Sequence, residues 1–269
     1  MVDAYDTFVI DLWGVIHNGI KLNDKAIEAV AQLKIKSKKI VFLSNAPRPS
    51  AKVVDFLLKL KMDKHYLSNV MTSGEAAMQA INQNKFGKNF FHLGPPRDAS
   101  IFEKVKKNKT TIDSCDFILC TGLFDEDDPD LYKPKLHEND LDYYKNFLTK
   151  HTSKKLVCTN PDLTVHRGNK EEYCAGYVAK IFEELGGKAI YYGKPHKEIY
   201  DMCFEPEEKV LAIGDNLRTD IKGANNLNKD CLFISDGVHR NEFNNNIELE
   251  KLLYKYKVKA NYFQKELQW

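Results

Sequence analysis

Short apolar runs alternate with amphipathic stretches along the first third of the chain. The runs at Phe8 to Ile10, Ile40 to Leu43 and Val70 to Met71 predict buried strands. Between these runs, apolar residues recur at helical spacing, and Asn23 and Ser50 occupy positions typical of helix-capping side chains. Strands and helices in this order predict a parallel sheet with helices on both faces.

The same pattern restarts near residue 84. Further strands are predicted at Phe90 to Leu93, Phe117 to Cys120 and Leu156 to Cys158. Helical spacing recurs near 99–107, 140–150 and 171–185. This second series predicts an α/β lobe of its own, separate from the first sheet.

The predicted lobe covers residues 84–187, inserted into a core formed by residues 1–83 and 188–269. The predicted hinge is the pair Gly186 and Gly187, after which apolar strands resume at Ala189 to Tyr192 and Val210 to Ile213. A chain of 269 residues is long enough for such a core with a second lobe.

The composition is that of a globular protein with a packed core. Hydrophobic residues make up 43% of the chain and the formal net charge is +2, so the charge does not favour nucleic acid or an anionic membrane as a partner. The six cysteines form no Cys-x-x-Cys pair, which predicts reduced, buried thiols. The sequence shows no secretory signal and no apolar run near the ~20 residues of a spanning helix, so we expect a cytoplasmic protein.

Polar residues follow four of the predicted strands. They are Asp11, Ser44 with Asn45, Lys194, and Asp215 with Asp220. Taken singly, each has an ordinary interpretation as a turn, a helix cap or a solvated residue. Taken together, they predict one site, because ligands bind at the carboxyl edge of an open parallel sheet.

This set of residues suits phosphoryl transfer. A carboxylate such as Asp11 can take up a phosphoryl group as an aspartyl phosphate. Mg²⁺ prefers oxygen ligands, which Asp11 and Asp215 offer. Lys194 would hold the nucleophile and the phosphate together as a point charge, and the Ser44 hydroxyl with nearby backbone amides would bind the phosphoryl oxygens. Positioning and charge neutralisation supply most of the catalysis in such reactions.

The order Asp, Ser, Lys, Asp resembles the four motifs of the haloacid dehalogenase (HAD) superfamily. The long insert between the second and third motifs resembles subfamily IIA, the group of N-acetylglucosamine-type phosphatases and p-nitrophenylphosphatases. Cys158 to Asp162 is similar to the Thr-Asn-Pro-Asp sequence in that group's cap, and Tyr192 to Pro195 and Ile213 to Asn216 also match. The resemblance covers nearly the whole chain. It implies a doubly wound, Rossmann-like parallel core sheet, an inserted mobile α/β cap and Mg²⁺ as cofactor.

The resemblance also implies roles for individual residues. Asp11 and Lys194 would be catalytic, and Ser44 and Asn45 would bind the substrate phosphate together with Lys194. The predicted metal ligands are Asp11, Asp215, the backbone carbonyl of Trp13, and Asp220 either directly or through water.

Three further residues are candidates for the same site. Asn160 and Asp162 are placed by the resemblance where the cap faces the core, where they would either stabilise the cap or contact the substrate. An ordinary Asn-Pro-Asp turn is the alternative. Asn216 belongs to the last motif.

The acidic stretch from Asp125 to Asp128 is interpreted as a solvated loop rather than a second metal site.

Position 13 departs from the phosphatase pattern. Phosphatases of the family carry Asp-x-Asp in the first motif, and the second aspartate protonates the leaving group and later activates water. Here that residue is Trp13, whose indole N–H only donates. Loss of a general acid-base typically costs ~10²–10⁴-fold in rate. A subgroup of the IIA enzymes resembles this chain with Asp-x-Trp-Gly-Val followed by His-x-Gly, so His17 is either a substitute acid-base or a structural residue.

These features predict a Mg²⁺-dependent HAD-type hydrolase acting on a small phosphorylated metabolite, with weak or unusual phosphatase activity. Two alternatives stay open: a hydrolase that attacks another kind of bond through Asp11, and a non-catalytic protein that binds a phosphorylated metabolite. The presence of Asp11 and Lys194 favours an enzyme, because a pure binding protein needs no nucleophile. Trp13 in the first motif favours the two alternatives.

Overall fold

The computed structural model describes residues 2–124, 141–167 and 170–269. A first sheet contains six parallel strands in the order β12-β11-β10-β1-β2-β3. Its strands are β1 (Thr7–Ile10), β2 (Lys39–Ser44), β3 (Val70–Thr72), β10 (Val210–Gly214), β11 (Asp230–Ile234) and β12 (Tyr262–Gln264). The central strands are buried on both faces, as their unbroken apolar runs require.

A second sheet contains four parallel strands in the order β4-β5-β6-β9. These are β4 (Phe90–Leu93), β5 (Phe117–Cys120), β6 (Lys155–Cys158) and β9 (Lys188–Tyr191). Between β6 and β9 the chain also forms an antiparallel hairpin of β7 (Thr164–Arg167) and β8 (Lys170–Tyr173). We call the second sheet, its helices and this hairpin the cap.

Eight α-helices connect the strands of the described part of the chain. They are α1 (Asp24–Ile35), α2 (Ser50–Lys59), α3 (Ser73–Asn82), α4 (Leu141–Thr149), α5 (Ala175–Glu184), α6 (Lys197–Tyr200), α7 (Lys222–Asn226) and α8 (Asn246–Tyr256). A run of 3-10 turns covers Pro96–Asn108, and a π-helical turn covers Leu217–Ile221. No helix of the described segments has the length and apolar character needed to cross a membrane.

Each sheet carries helices on both faces. In β1, Phe8 and Ile10 pack with α1 and α2, whereas Val9 packs on the opposite side with α6. In β5, Phe117 packs with α3 and Ile118 packs with α4 and α5. This alternation makes the first sheet doubly wound, and the predicted α/β class is confirmed.

The second sheet and a helix that packs on it extend beyond the predicted lobe of residues 84–187 at both ends. Strand β9 pairs with β6 in the second sheet, although residues from 188 onward were assigned to the core. Helix α3 precedes residue 84, yet Ala77 and Ile81 pack against Phe90 and Phe117 of the second sheet. The apolar pattern of a strand or a helix does not encode which sheet the element joins or covers, so the sequence pattern does not fix these boundaries.

Local predictions also differ from the structure at several element ends. Helix α1 follows Asn23, but the Asn23 side chain makes no capping hydrogen bond. Ser50 is the first residue of α2 rather than its cap, and Pro49 occupies the cap position. The helix predicted from 171 begins at Ala175, because the preceding residues form the polar hairpin that carries no apolar signal. The acidic stretch 125–128 lies outside the described residues.

Candidate active site

Three of the predicted site residues stand at the ends of adjacent strands. In the first sheet β1 lies between β10 and β2, so Asp11 follows β1 with Asp215 on one side and Ser44 on the other. All three side chains are buried. The fourth feature, Lys194, arrives from the loop after β9 of the cap sheet. The site therefore combines the edges of two sheets.

Lys194 forms the electrostatic centre of this group. Its ammonium lies 2.5 Å from Asp11 Oδ1 and 2.6 Å from Asp220 Oδ1, and it donates to the carbonyl of Leu43 at 2.9 Å. Burial alone would lower the pKa of Lys194, but the two carboxylates hold it well above its usual value. Lys194 is therefore a fixed positive charge beside the proposed nucleophile.

Asp11, Asp215 and Asp220 form a buried carboxylate cluster. One oxygen from each lies within 4.8 Å of the others. Burial, followed by the Asp220 charge, raises the pKa of Asp11 to about 8 even though Lys194 opposes the shift. Burial and the neighbouring carboxylates also raise the pKa of Asp215 well above its usual range. One lysine is too little positive charge for three buried carboxylates, so the cluster fits a hard divalent cation.

Close backbone packing holds Asp215 in this position. Val238 N–H donates to its Oδ2 at 2.8 Å. Gly14, with φ of +88°, lies so near that a Cβ there would be 2.1 Å from the same oxygen. Only glycine suits a position that combines a left-handed backbone with this approach. Gly14 of the Asp-Leu-Trp-Gly-Val sequence therefore leaves the space that the Asp215 carboxylate occupies.

Asn45 anchors the backbone of Lys194 rather than lying free for substrate. Its Oδ1 accepts from Lys194 N–H at 2.8 Å, and its Nδ2 donates to the Lys194 carbonyl at 3.2 Å. Ser44 Oγ accepts from Ala46 N–H at 3.2 Å and lines the cavity described below. Binding of phosphate by these two residues stays a prediction.

Asp162 ties the cap to the core at the same place. Its Oδ1 accepts hydrogen bonds from Asn45 Nδ2, Asn216 Nδ2 and Thr219 Oγ1, each at 3.2 Å. Burial raises the pKa of Asp162 to about 6, although nearby Lys194 opposes the shift. Asn160 shapes the local turn, since its Oδ1 accepts from Asp162 N–H. These contacts favour a cap-anchoring role for Asp162.

The loop that carries Asp215 and Asp220 has a partner that sequence reasoning missed. His239 is fully buried, and its Nε2 accepts from Leu217 N–H at 3.1 Å. Its Nδ1 lies 2.6 Å from Glu242 Oε1, so Glu242 fixes the ring orientation. The available signal was the position of His239 shortly after β11, at the same carboxyl edge.

Trp13 reaches across to the cap hairpin. Its indole Nε1 donates to the carbonyl of His166 at 2.8 Å. The guanidinium carbon of Arg167 lies 5.5 Å from the centre of the indole ring. The residue that replaces the family's second aspartate is thus engaged with a strand 153 positions further along the chain.

His17 is enclosed by its neighbours. Its Nδ1 accepts from Gly19 N–H at 3.0 Å, and its ring meets Trp13 and Phe56 edge-on at 5.2 and 5.4 Å. Burial lowers the pKa of His17 to about 4, so the ring is neutral near pH 7. These contacts favour the structural interpretation over the acid-base one.

A cavity of about 690 Å³ lies between the two sheets. Asp11 and Asp215 line it from the core side, Thr121 and Thr164 belong to its cap side, and Lys194 reaches it from the loop after β9. The carboxyl ends of β4, β5 and β6 open on the same cavity as those of the core strands. A small molecule in this space would contact the carboxylate cluster and the cap together.

The comparisons with known proteins agree with this geometry. A family model described as haloacid dehalogenase-like hydrolase matches residues 8–107, and a second, described as HAD-hydrolase-like, matches residues 191–255. The chain belongs to the haloacid dehalogenase-like hydrolases. The two matches together span more than half of the chain and include all four motifs. The predicted family is confirmed.

Individual HAD proteins resemble this chain along most of its length. The 5'-nucleotidase YutF of Bacillus subtilis is 23% identical over 250 residues, which cover 89% of this chain and 90% of that protein. A haloacid dehalogenase-like hydrolase from Brucella suis 1330 has a TM-score of 0.83 at 28% identity, covering 99% and 97% of the two chains. A 4-nitrophenylphosphatase from Thermotoga maritima has a TM-score of 0.71 at 23% identity, covering 98% and 95%. This HAD chain is accordingly a hydrolase with the fold expected from its resemblance to subfamily IIA.

Proposed function

We propose that this protein is a Mg²⁺-dependent phosphohydrolase that uses Asp11 as nucleophile on a small phosphorylated metabolite. One observation carries the proposal: the Asp11 carboxylate lies 2.5 Å from a buried lysine, inside an acidic cluster that lines a cavity of about 690 Å³. The names of the phosphatase and nucleotidase relatives support the substrate class. The six cysteines are all buried and unpaired, which supports a cytoplasmic location.

The reaction would proceed in two displacements. An oxygen of Asp11 attacks phosphorus, and the bond from phosphorus to the leaving oxygen breaks with its electron pair leaving on that oxygen. Water then attacks phosphorus, and the bond to Asp11 breaks, which returns the carboxylate and releases phosphate. Throughout, Lys194 holds Asp11 in place and offsets negative charge near the transferred group.

The donor set fits Mg²⁺ as the cation. Asp11, Asp215 and Asp220 would hold it together with the Trp13 carbonyl, all of them hard oxygen donors. When bound, Mg²⁺ would neutralise charge on the carboxylates and on the phosphoryl oxygens. The raised pKa values of Asp11 and Asp215 support a cation here, because a nucleophile must be ionised to react.

The substrate preference should follow from Trp13. An indole cannot protonate a leaving oxygen or activate water, and the neutral, enclosed His17 is poorly placed to replace it. Esters whose leaving group departs without a proton, such as aryl phosphates, should therefore react faster than alkyl phosphates. We expect turnover to be slow in general.

The test is a screen of phosphorylated metabolites and p-nitrophenyl phosphate with and without Mg²⁺. We expect phosphate release that requires Mg²⁺ and that Asp11→Asn abolishes. Binding without turnover would favour the non-catalytic binding protein. Turnover of a non-phosphate substrate that depends on Asp11 would favour a hydrolase of another bond.

A further inference from the structure

The contact between Trp13 and the cap hairpin joins the core to the cap. Trp13 follows β1 in the core, and His166 lies in β7 of the cap. The hydrogen bond from Trp13 Nε1 to the His166 carbonyl is 2.8 Å long. Because the acceptor is a backbone atom, the contact fixes the strand itself rather than a mobile side chain.

Neighbouring groups hold the indole ring on both the cap side and the core side. On the cap side, Arg167 lies 5.5 Å from the ring centre and pairs with Glu172 across the hairpin at 3.2 Å. On the core side, a Cβ at Gly19 would lie 2.6 Å from the ring, so the loop packs closely against it. A ring held in this way keeps its N–H directed at one acceptor.

We propose that Trp13 is a positioning residue that latches the β7–β8 hairpin over the nucleophile. In this protein, the position that subfamily phosphatases use for an acid-base would serve instead to keep the cavity closed around Asp11. Closure of this kind excludes bulk water from a reactive site. The inference adds regulation to the proposed function and rests on it for the identity of Asp11 as nucleophile.

Other contacts define what the latch would move. Asp162 fixes the base of the cap through three hydrogen bonds, and Arg48 of the core pairs with Asp98 of the cap at 2.6 Å. Neither contact involves the hairpin strands. Loss of the indole contact should therefore release the hairpin while the rest of the cap stays docked.

The chain supplies a spectroscopic reporter for this latch. It has only two tryptophans, Trp13 and Trp269, and Trp269 is half exposed near the end of the chain. In Trp269→Phe protein, all tryptophan fluorescence and the single indole N–H resonance come from Trp13. We expect the indole proton to exchange with solvent far more slowly than that of free tryptophan.

Variants of Arg167 then test the latch without replacing Trp13. In the Trp269→Phe background, Arg167→Ala should raise acrylamide quenching of Trp13 roughly two- to fivefold, the range expected for one cation–aromatic contact. Arg167→Lys keeps the cation and should largely restore protection. Lys180→Ala is the matched control, because it removes a similar contact with Tyr177 on α5, away from the hairpin.

Turnover supplies a second, independent readout. With p-nitrophenyl phosphate and Mg²⁺, Arg167→Ala should lower kcat about as much as it raises quenching, with unchanged Mg²⁺ affinity. If the protein turns over no phosphate ester, the proposed function fails while the quenching comparison still tests the latch. An indole proton that exchanges as fast as that of free tryptophan, or equal quenching in Arg167→Ala and Lys180→Ala, would overturn the latch.

Discussion

The floor and the roof of the cavity are built on different principles. The floor consists of Asp11, Asp215 and Asp220, which follow strands of the first sheet, and of Lys194, which contacts Asp11 and Asp220. The roof meets the floor through contacts such as Trp13 to the His166 carbonyl. The floor carries charge that only a cation can balance, whereas the roof carries neutral and ion-paired contacts. We therefore expect the chemistry to depend on the floor and access to depend on the roof.

The largest effect should come from removing the charge at the centre of the floor. Lys194→Met leaves Asp11 and Asp220 buried without their shared cation. We expect phosphohydrolase activity to fall about 10³-fold and the free energy of unfolding in the metal-free protein to fall by about 3 kcal/mol. Steady-state kinetics and urea denaturation measure the two effects.

Lys197→Met is the control for this change. Lys197 lies on the same segment but pairs with Asp201 on the surface. We expect this variant to stay within about 0.5 kcal/mol of wild type and to keep its activity. Equal loss in both variants would show that the buried lysine has no special role.

Trp13→Asp tests whether position 13 can supply an acid-base for the floor in place of the indole contact with the roof. A carboxylate there should restore proton transfer and raise hydrolysis of an activated ester by ~10-fold or more, with a larger gain for a less reactive ester. The same change removes the indole contacts and would destabilise the protein by roughly 3 kcal/mol. The comparison therefore requires a folded variant with intact Mg²⁺ binding. If such a variant hydrolyses no ester faster than wild type, the site has diverged from phosphatase chemistry.

Asp162 marks the boundary between the two regions. Asp162→Ala leaves three donors without their acceptor, and we expect the free energy of unfolding to fall by about 3 kcal/mol. Asp162→Asn keeps an oxygen acceptor and should lose only about 1 kcal/mol. Asp142→Ala changes an exposed aspartate of the cap and serves as the control. Identical stability of the Ala and Asn variants would argue against the anchoring role.

The smallest effect concerns His17 and appears only in acid. Its pKa is about 4 in the folded protein and about 6.5 when unfolded, so the unfolded chain binds a proton that the folded protein excludes. This contribution is fully present above pH 6.5 and is lost as the pH falls from 6.5 towards 4. At pH 5 it should reduce the free energy of unfolding by about 2 kcal/mol relative to pH 7.5.

His17→Asn keeps an acceptor near Gly19 N–H and should not show this loss of unfolding free energy between pH 7.5 and pH 5. Chemical denaturation at the two pH values, with wild type and variant side by side, measures it. A decrement of the same size in both proteins would mean that other groups cause it and that His17 is not buried as a neutral ring.

The floor could be predicted because a short local sequence pattern identifies its residues. Asp11, Ser44 and Asp215 each end a buried apolar run, and parallel strands bring such ends together without any knowledge of distant contacts. Lys194 was predicted by its motif, although its strand was assigned to the wrong sheet.

The roof could not be predicted by the same means. The hairpin strands are short and polar, so periodicity does not mark them. The acceptor for Trp13 is a backbone carbonyl, which any residue at position 166 would provide. His239 was missed because a single histidine after a strand has no distinctive neighbour in the sequence. Contacts between distant segments follow from packing, which residue patterns do not encode.

The most direct test of the central claim is to look for phosphate on Asp11. Trp13 offers no base for the water that would release the phosphoryl group, so the second displacement should be slower than the first when the leaving group is good. Wild-type protein mixed with p-nitrophenyl phosphate and Mg²⁺, quenched in acid and digested, should therefore carry a phosphoryl group on the peptide that contains Asp11. Asp11→Asn protein should carry none. Turnover without any such adduct, or an adduct on another residue, would contradict the account.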